Sequence, residues 1–186
     1  MLSQASQRLA DDHVALDTVL RQLQLALDTG DVAVSHASLD LFWARLAVHI
    51  RAEHLHLFPA VTNGMNNMTA HQSAAPTLNE GRLTVERLRA DHDFFMHELA
   101  QAIGALRELL KITDRRAINK VMRKVRDAVL EIEKRLITHN ELEENQIYRW
   151  VKTTLNEREQ ADLVMRINAE LAKRPPRISP EAWSSQ

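Results

Sequence analysis

Apolar residues recur along most of this chain at steps of three, four and seven positions, which is the spacing of helices that bury one face. The apolar positions form four stripes, namely Leu9, Leu16, Leu20, Leu23 and Leu27; Leu39, Phe42, Leu46 and Leu57; Val85, Leu88, Phe95, Leu99, Ala102, Leu106 and Leu110; and Ile118, Val121, Val125, Ala128, Ile132, Leu136, Ile147 and Trp150. Stripes of this length predict four long amphipathic helices.

Turn and capping residues separate the four predicted helices. The first helix spans about residues 3–29 and is ended by Gly30, and the second ends near Phe58 and Pro59. Residues 59–79 contain an Asn-Gly pair, two prolines and no apolar period, so they predict a long crossover loop. Asp114 is the expected N-cap of the fourth helix.

A short fifth helix is predicted after the fourth, because Asn156 with Glu159 three residues later resembles a capping box. Its expected core positions are Leu163, Ile167 and Leu171. Four long helices bury their stripes most economically in an up-and-down four-helix bundle, and the fifth helix would lie across one end. We therefore expect an all-α fold, with residues 1–174 as one bundle domain and residues 175–186 as a loose C-terminal tail.

The composition supports a helical fold and excludes several kinds of site. The 186 residues are 45% hydrophobic and include only four glycines and five prolines, which is few for a turn-rich β protein. The chain has no cysteine, so disulfides and thiolate metal sites are excluded, and nitrogen and oxygen atoms must hold any metal.

Charge and hydropathy restrict the partners. A net charge of -1 gives no excess of positive charge for phosphate-backbone binding, which argues against nucleic acid. No apolar run approaches the length of about 18 residues that a membrane-spanning helix needs. We therefore expect a soluble, cytoplasmic protein with no membrane partner, and the sequence does not identify a protein partner.

Polar residues of the metal-ligating kind interrupt all four apolar stripes at positions expected to be buried. These residues are His13 in the first stripe, His49 and Glu53 in the second, His92 in the third, and His139 and Glu143 in the fourth. Burial without a partner costs about 2–7 kcal/mol for each neutral group and more for a carboxylate. Because total stabilities are about 5–15 kcal/mol, these groups need partners, which metal ions would supply.

The spacing of these residues also favours a metal site. His49 and Glu53, and likewise His139 and Glu143, form HxxxE segments whose two side chains share one helix face. Each segment follows an Asp-His pair one helix earlier, so the two halves resemble an internal duplication. A pseudo-twofold arrangement would bring the ligands of one half opposite those of the other, giving two metals bridged by two carboxylates.

Four segments occur along the chain in this order: Asp-His, HxxxE followed by Leu-Phe-Pro, Asp-His, and HxxxEE with a nearby tyrosine. This order resembles the hemerythrin family, specifically the bacterial hemerythrin-like HHE cation-binding proteins, over about residues 8–150. The resemblance implies a cofactor of two non-heme iron ions with an oxo or hydroxo bridge. It implies His13, His49, His92 and His139 as terminal ligands and Glu53 and Glu143 as bridges. It assigns no catalytic residue in this chain.

One position departs from the oxygen-carrying hemerythrins, which place a second histidine one turn after the third-helix ligand. Met96 occupies that position here, and His97 lies about 140° around a regular helix from His92. We therefore expect His97 to be solvated unless a π-bulge turns it inward, and we expect two metals with nearly equivalent ligands. Asp17 and Glu144 are candidates for hydrogen bonds to the ligands or, less favourably, for ligands themselves. The remaining histidines, expected at the surface or behind the ligands, are His36, His54, His56 and His71.

Two other metalloprotein classes fit less well. A ferritin-like di-iron oxidase needs two Glu-x-x-His motifs, and only Glu53 with His56 provides one. A zinc hydrolase would favour an HExxH motif, which the chain lacks.

Three kinds of function remain open for a di-iron protein. The first is binding or sensing of a small diatomic ligand (dioxygen or nitric oxide) or of iron. The second is an enzyme that acts on peroxide, nitric oxide or ferrous iron. The third is a structural role, in which the metal only holds the bundle together. We favour binding or sensing, because nothing in the sequence marks a substrate pocket or a proton-delivery chain.

Overall fold

A computed structural model of the chain describes residues 2–67 and 77–173, and every regular element within these residues is helical. The helices are α1 (Gln4–Thr29), α2 (Val32–Ala52), α3 (Phe58–Asn67), α4 (Leu78–Leu109), α5 (Arg115–Leu142), α6 (Tyr148–Thr154) and α7 (Glu157–Leu171). A π-helical turn, π1 (Glu53–Leu57), joins α2 to α3, and a second, π2 (Glu143–Ile147), joins α5 to α6. The predicted all-α bundle with a short C-terminal helix is confirmed.

Capping residues place the helix ends where the sequence predicts most of them. Gly30 ends α1 at a φ of 74°, a left-handed conformation that glycine adopts without strain. The side chain of Asp114 accepts from the backbone at the start of α5, as expected. Asn156 and Glu159 form the predicted capping box of α7. A second capping box, which was not predicted, starts α4 at Thr77.

The predicted loop over residues 59–79 is wrong in its first part. The second helix does not end at Pro59 but continues through π1 into α3, which extends to Asn67. Pro59 lies two residues after the end of π1 and has no N–H to donate to the preceding turn of this continuous helix. The buried positions Phe58, Val61 and Met65 of α3 have the spacing of a helix face, a signal hidden among the turn-forming residues. The rest of the predicted loop, including His71, lies mainly outside the described residues.

A close contact explains the glycine within α3. A β-carbon at Gly64 would lie 2.6 Å from the backbone oxygen of Thr154, so any larger residue would push α3 away from α6. The Asn-Gly pair that suggested a turn therefore serves helix packing in the structure.

The four long helical segments surround the core in the order α1, α2, α4 and α5, and α7 packs against α1, α2 and π1 at one end. Two apolar clusters fill the bundle. One core lies at the end of the bundle where α1 turns into α2 and α4 turns into α5. This hairpin-end core includes Leu23, Phe42, Leu99, Leu106 and Val129. The α7-end core includes Leu9, Leu57, Leu88, Tyr148 and Ile167. Between these two cores lies a layer of polar side chains, to which the helices contribute one or two residues each.

Two further findings concern membranes and the chain end. Among the described residues, no helix is both long and apolar enough to cross a membrane. The last described helix, α7, ends at Leu171, and the residues after 173 are not described. The domain boundary at residues 174 and 175 therefore stays a prediction.

Candidate metal centre

The structure brings together, in one buried layer, all six residues that the sequence singles out. These residues, none more than 3% exposed, are His13, His49, Glu53, His92, His139 and Glu143. Each histidine follows an apolar residue of its stripe by three or four positions, and each glutamate follows a histidine by four, so the packing that buries the stripe also buries the polar side chains. We call this cluster the polar layer.

The polar layer contains two groups of four candidate ligands, which share both glutamates. In each group one ligand atom of every residue lies within 4.8 Å of the others. The A position is defined by His13, His49, Glu53 and Glu143, and the B position by Glu53, His92, His139 and Glu143. The shared carboxylates lie between the two histidine pairs, which is the arrangement that bridging ligands require.

A π-helical turn follows each HxxxE segment and starts at its glutamate. In π1 the backbone N–H of Phe58 donates to the carbonyl of Glu53, and in π2 the N–H of Tyr148 donates to the carbonyl of Glu143. The additional residue in each turn changes the direction of the side chains that follow. The apolar pattern predicts neither π turn; in both, an aromatic residue follows the glutamate by five positions.

At the A position, a carboxylate holds the outer nitrogen of each imidazole. Asp12 lies 3.1 Å from Nδ1 of His49, and Glu144 lies 3.0 Å from Nδ1 of His13. Because an ionised carboxylate only accepts hydrogen bonds, each Nδ1–H must donate. Each Nε2 of a neutral ring then presents its lone pair to the centre. Glu144 is thus a hydrogen-bond partner, which was one of its two expected roles.

At the B position the outer partners differ. Asp91 lies 3.3 Å from Nδ1 of His139 and also accepts from Arg135, whereas Nδ1 of His92 lies 2.8 Å from Nε2 of His54. His54 was expected at the surface or behind the ligands, and the structure places this half-buried side chain directly behind His92. The two aspartates that precede His13 and His92 have no predicted role, although both lie next to a candidate ligand in the sequence.

The inner nitrogens of the imidazoles face each other in pairs. Nε2 of His13 lies 3.1 Å from Nε2 of His49, and Nε2 of His92 lies 3.0 Å from Nε2 of His139. Two neutral rings with Nδ1–H donors would bring lone pair against lone pair at these distances. A proton or a metal ion between the rings removes this repulsion.

The glutamate oxygens add more acceptors to the same space. Among the described residues, Oε2 of Glu53 and both carboxylate oxygens of Glu143 have no hydrogen bond. Only Oε1 of Glu53 has one, from the hydroxyl of Tyr148 at 3.1 Å. The shortest distances from imidazole Nε2 to these oxygens are 3.3–3.4 Å. A buried cluster with so many acceptors and so few donors fits a cation.

Charges in the polar layer shift the pKa values of its members. Burial alone lowers the pKa of His49, but Glu53 and Asp12 outweigh it and raise the pKa to about 10. Burial likewise opposes the rise of the pKa of His13 and His139, which neighbouring carboxylates produce. In the absence of metal, a proton therefore occupies the His49 imidazole at neutral pH.

The carboxyl groups and the tyrosine respond to the same charges. Burial raises the pKa of Glu53, yet the neighbouring His49 and His92 bring it well below the usual range. Glu143 is shifted in the same direction, because His139 and His13 outweigh both burial and the charge of Glu53. Burial and the two carboxylates raise the pKa of Tyr148 well above its usual value, so the phenol keeps its proton.

The remaining candidates lie away from the centre. His97 is exposed on a regular part of α4 and contacts Gln101, so the expectation of a solvated residue on a regular helix is confirmed. Met96 packs against the hairpin-end core, and Asp17 belongs to neither ligand group. His36 and His56 also lie outside both groups.

Comparison with known proteins agrees with this geometry. The family model described as the hemerythrin HHE cation binding domain matches residues 4–151, which span α1 through most of α6 and contain the whole polar layer. No match was found among curated proteins or among solved structures. Because the family model covers most of the chain, this protein belongs to the hemerythrin HHE cation-binding domain family.

Proposed function

We propose that this protein binds two non-heme iron ions in the polar layer and uses them to bind or sense a small diatomic ligand, dioxygen or nitric oxide. One ion would occupy the A position and the other the B position, with Glu53 and Glu143 as bridges. An oxo or hydroxo group would complete the pair, as in the family that the sequence resembles.

The observation that carries this proposal is the excess of acceptors in the polar layer. Four imidazole Nε2 atoms converge with three carboxylate oxygens that have no hydrogen bond from the described residues, and Tyr148 supplies a hydroxyl donor to the same space. A buried carboxylate without a partner costs far more than a neutral group, so two divalent cations would account for both glutamates.

The ligand types support iron among the transition metals. Imidazole nitrogen is a good ligand for iron, copper and zinc, carboxylate oxygen is a harder ligand, and the chain has no thiolate to offer. Two carboxylates shared between two ions balance a high total charge, which suits ions that change oxidation state.

The residues around the polar layer would orient the ligand and exclude water. Iron, when bound, supplies reversible electron exchange with the diatomic molecule. The hydroxyl of Tyr148 lies 3.2 Å from Nε2 of His13 and keeps its proton, so it can donate a hydrogen bond within the layer. Phe95 meets the ring of His139 edge-on at 5.4 Å and closes the layer toward the hairpin-end core.

The test is anaerobic reconstitution of the purified chain with ferrous iron. Elemental analysis should give two iron ions per chain, and oxidation should produce near-ultraviolet charge-transfer absorption. Nitric oxide added to the reduced protein should then change the visible spectrum. A stoichiometry of one, or zinc rather than iron in protein isolated from cells, would contradict the di-iron proposal.

An enzyme acting on peroxide, nitric oxide or ferrous iron is the alternative that the same experiment separates. Iron-loaded protein that consumes hydrogen peroxide over many turnovers would favour the enzyme. Protein that binds nitric oxide tightly, without turnover of either molecule, would favour binding or sensing.

A further inference from the structure

The two halves of the polar layer supply the same ligands but different outer partners. Glu144 and His54 occupy equivalent positions, each directly after a shared glutamate and each within a π turn. Glu144 places a carboxylate 3.0 Å from Nδ1 of His13, whereas His54 places a ring nitrogen 2.8 Å from Nδ1 of His92. The pseudo-twofold symmetry of the ligands therefore ends at their hydrogen-bond partners.

The aromatic residues that follow the π turns also differ between the two positions, with a tyrosine at A and a phenylalanine at B. Tyr148 stacks on His13 with ring centroids 5.7 Å apart, and Phe58 stacks on His92 at 6.0 Å. Only the tyrosine carries a hydroxyl, which reaches the shared Glu53 from the A side.

The aspartate at the B position also differs in its charge balance. Oδ1 of Asp91 accepts from Arg135 at 2.7 Å and 2.6 Å, through Nε and Nη2. The guanidinium offsets the negative charge that Asp91 presents to His139. The A position thus has the carboxylates of Asp12 and Glu144 behind its imidazoles, and the B position has one carboxylate that shares its charge with an arginine.

Outer hydrogen bonds of this kind set how strongly an imidazole binds a metal. A carboxylate that accepts from Nδ1–H makes the ring a better donor at Nε2, and loss of such a partner typically weakens metal binding 10–100-fold. A neutral imidazole acceptor polarises the ring less than a carboxylate does. The inner ligands are the same in type, so the outer partners decide which ion is held more tightly.

We propose that the A position binds a divalent ion more tightly than the B position, and that Glu144 is the positioning residue that produces the difference. This inference rests on the proposed function, because it requires that both positions take an ion. It identifies an order of filling, A before B, in a centre whose ligand sets are identical in type.

Titration of the metal-free protein with Co²⁺, followed by calorimetry and visible absorption, tests this order. The wild-type chain should bind two ions in two separate steps, with affinities about 10–100-fold apart. Proton NMR should show hyperfine-shifted imidazole N–H signals from two rings after the first equivalent and from all four after the second.

Matched variants assign the steps to the two positions. Glu144→Gln should weaken the first step by about 10–100-fold and leave the second nearly unchanged. Glu144→His gives the A side the outer partner of the B side and should bring the two steps closer together. His54→Glu is the reciprocal change at a half-buried position and should strengthen the second step.

The outcomes separate this inference from the proposed function. Two Co²⁺ ions bound in one unresolved step by the wild type, or equal weakening of both steps in Glu144→Gln, would overturn the order of filling while leaving the two-ion centre intact. A stoichiometry below two in the wild type would overturn the two-ion centre itself, and the inference with it. If a Glu144 variant does not fold, His54→Glu decides, because an unchanged second step would refute the role of the outer partner.

Discussion

Two regions of this protein bury carboxylates, and they do so in opposite ways. Glu170 of α7 is 3% exposed, and its carboxylate meets Arg51, Lys173 at 2.8 Å and His56 at 3.7 Å. Glu53 and Glu143 are fully buried, and three of their four oxygens have no hydrogen bond from the described residues. The charge of Glu170 is offset by cations of the chain itself.

The difference shows that burial of a carboxylate does not by itself indicate a metal site. At Glu170 the positive charges of Arg51 and Lys173 neutralise the carboxylate, and the contact with Arg51 holds α7 against α2. In the polar layer, acceptors outnumber donors, and no lysine or arginine among the described residues offsets the two carboxylates. Protons or metal ions must provide it.

The largest effect should come from removing a shared carboxylate. We expect Glu53→Ala and Glu143→Ala each to lose most of the bound metal, because water cannot replace a bridging carboxylate between two cations about 3.5–4 Å apart. Elemental analysis after reconstitution and gel filtration measures the loss. His97→Ala, which removes an exposed histidine of α4, is the control and should keep two ions. Full iron content in either glutamate variant would refute the bridging role.

Metal loading should stabilise the protein and release protons. A site at a free-ion concentration 100 times its dissociation constant adds about 2.7 kcal/mol to the free energy of unfolding. Because the pKa of His49 is about 10 without metal, the ring is protonated at pH 7 and must lose its proton when the ion binds. Metal affinity should therefore fall as the pH is lowered. Calorimetry in buffers of different ionisation enthalpy measures the release, and a buffer-independent heat would contradict it.

A smaller effect is expected from the carboxylate that has its partners. Glu170→Gln should lower the free energy of unfolding by about 1–2 kcal/mol, because hydrogen bonds to a charged group are weakened, and it should leave the metal content unchanged. Urea unfolding of the metal-free protein measures the change. Glu131→Gln, at an exposed position of α5, is the matched control and should have little effect. Loss of metal in Glu170→Gln would show that the two regions are coupled.

The smallest effect is the pH dependence of that same contact. The hydrogen bond from Lys173, together with Arg51, lowers the pKa of Glu170 in the folded protein. The pKa of a glutamate in the unfolded chain is about 4.3. Its stabilisation is therefore fully present above that pH and is lost as the pH falls through the folded value. The difference in unfolding free energy between wild type and Glu170→Gln should shrink in acid. Urea midpoints at neutral and acidic pH measure it, and a constant difference would exclude this explanation.

Much of the fold could be predicted because its signals are local. The apolar stripes, Gly30 after α1, Asp114 before α5 and the capping box at Asn156 all lie within a few residues of the structure that they specify. The loop prediction after Pro59 was wrong because turn-forming residues there outweighed a short apolar period, and only packing against α6 shows why Gly64 belongs in a helix.

The sequence by itself determined the members of the polar layer. A histidine or glutamate on an apolar stripe is buried whenever that stripe is buried, so the six candidates follow from helical periodicity alone. Their pairing across the bundle followed from the repeated Asp-His and HxxxE segments. The family resemblance rests on these same residues.

Only the tertiary structure decided what lies behind the six candidates. The contact of Glu144 with His13 joins residues 131 positions apart, and that of His54 with His92 joins residues 38 positions apart. Both depend on π turns, which change side-chain direction without altering the apolar period strongly enough to be recognised. Helical periodicity specifies which face of a helix is buried, but the partner of a side chain depends on how the helices pack, which is a property of the whole bundle.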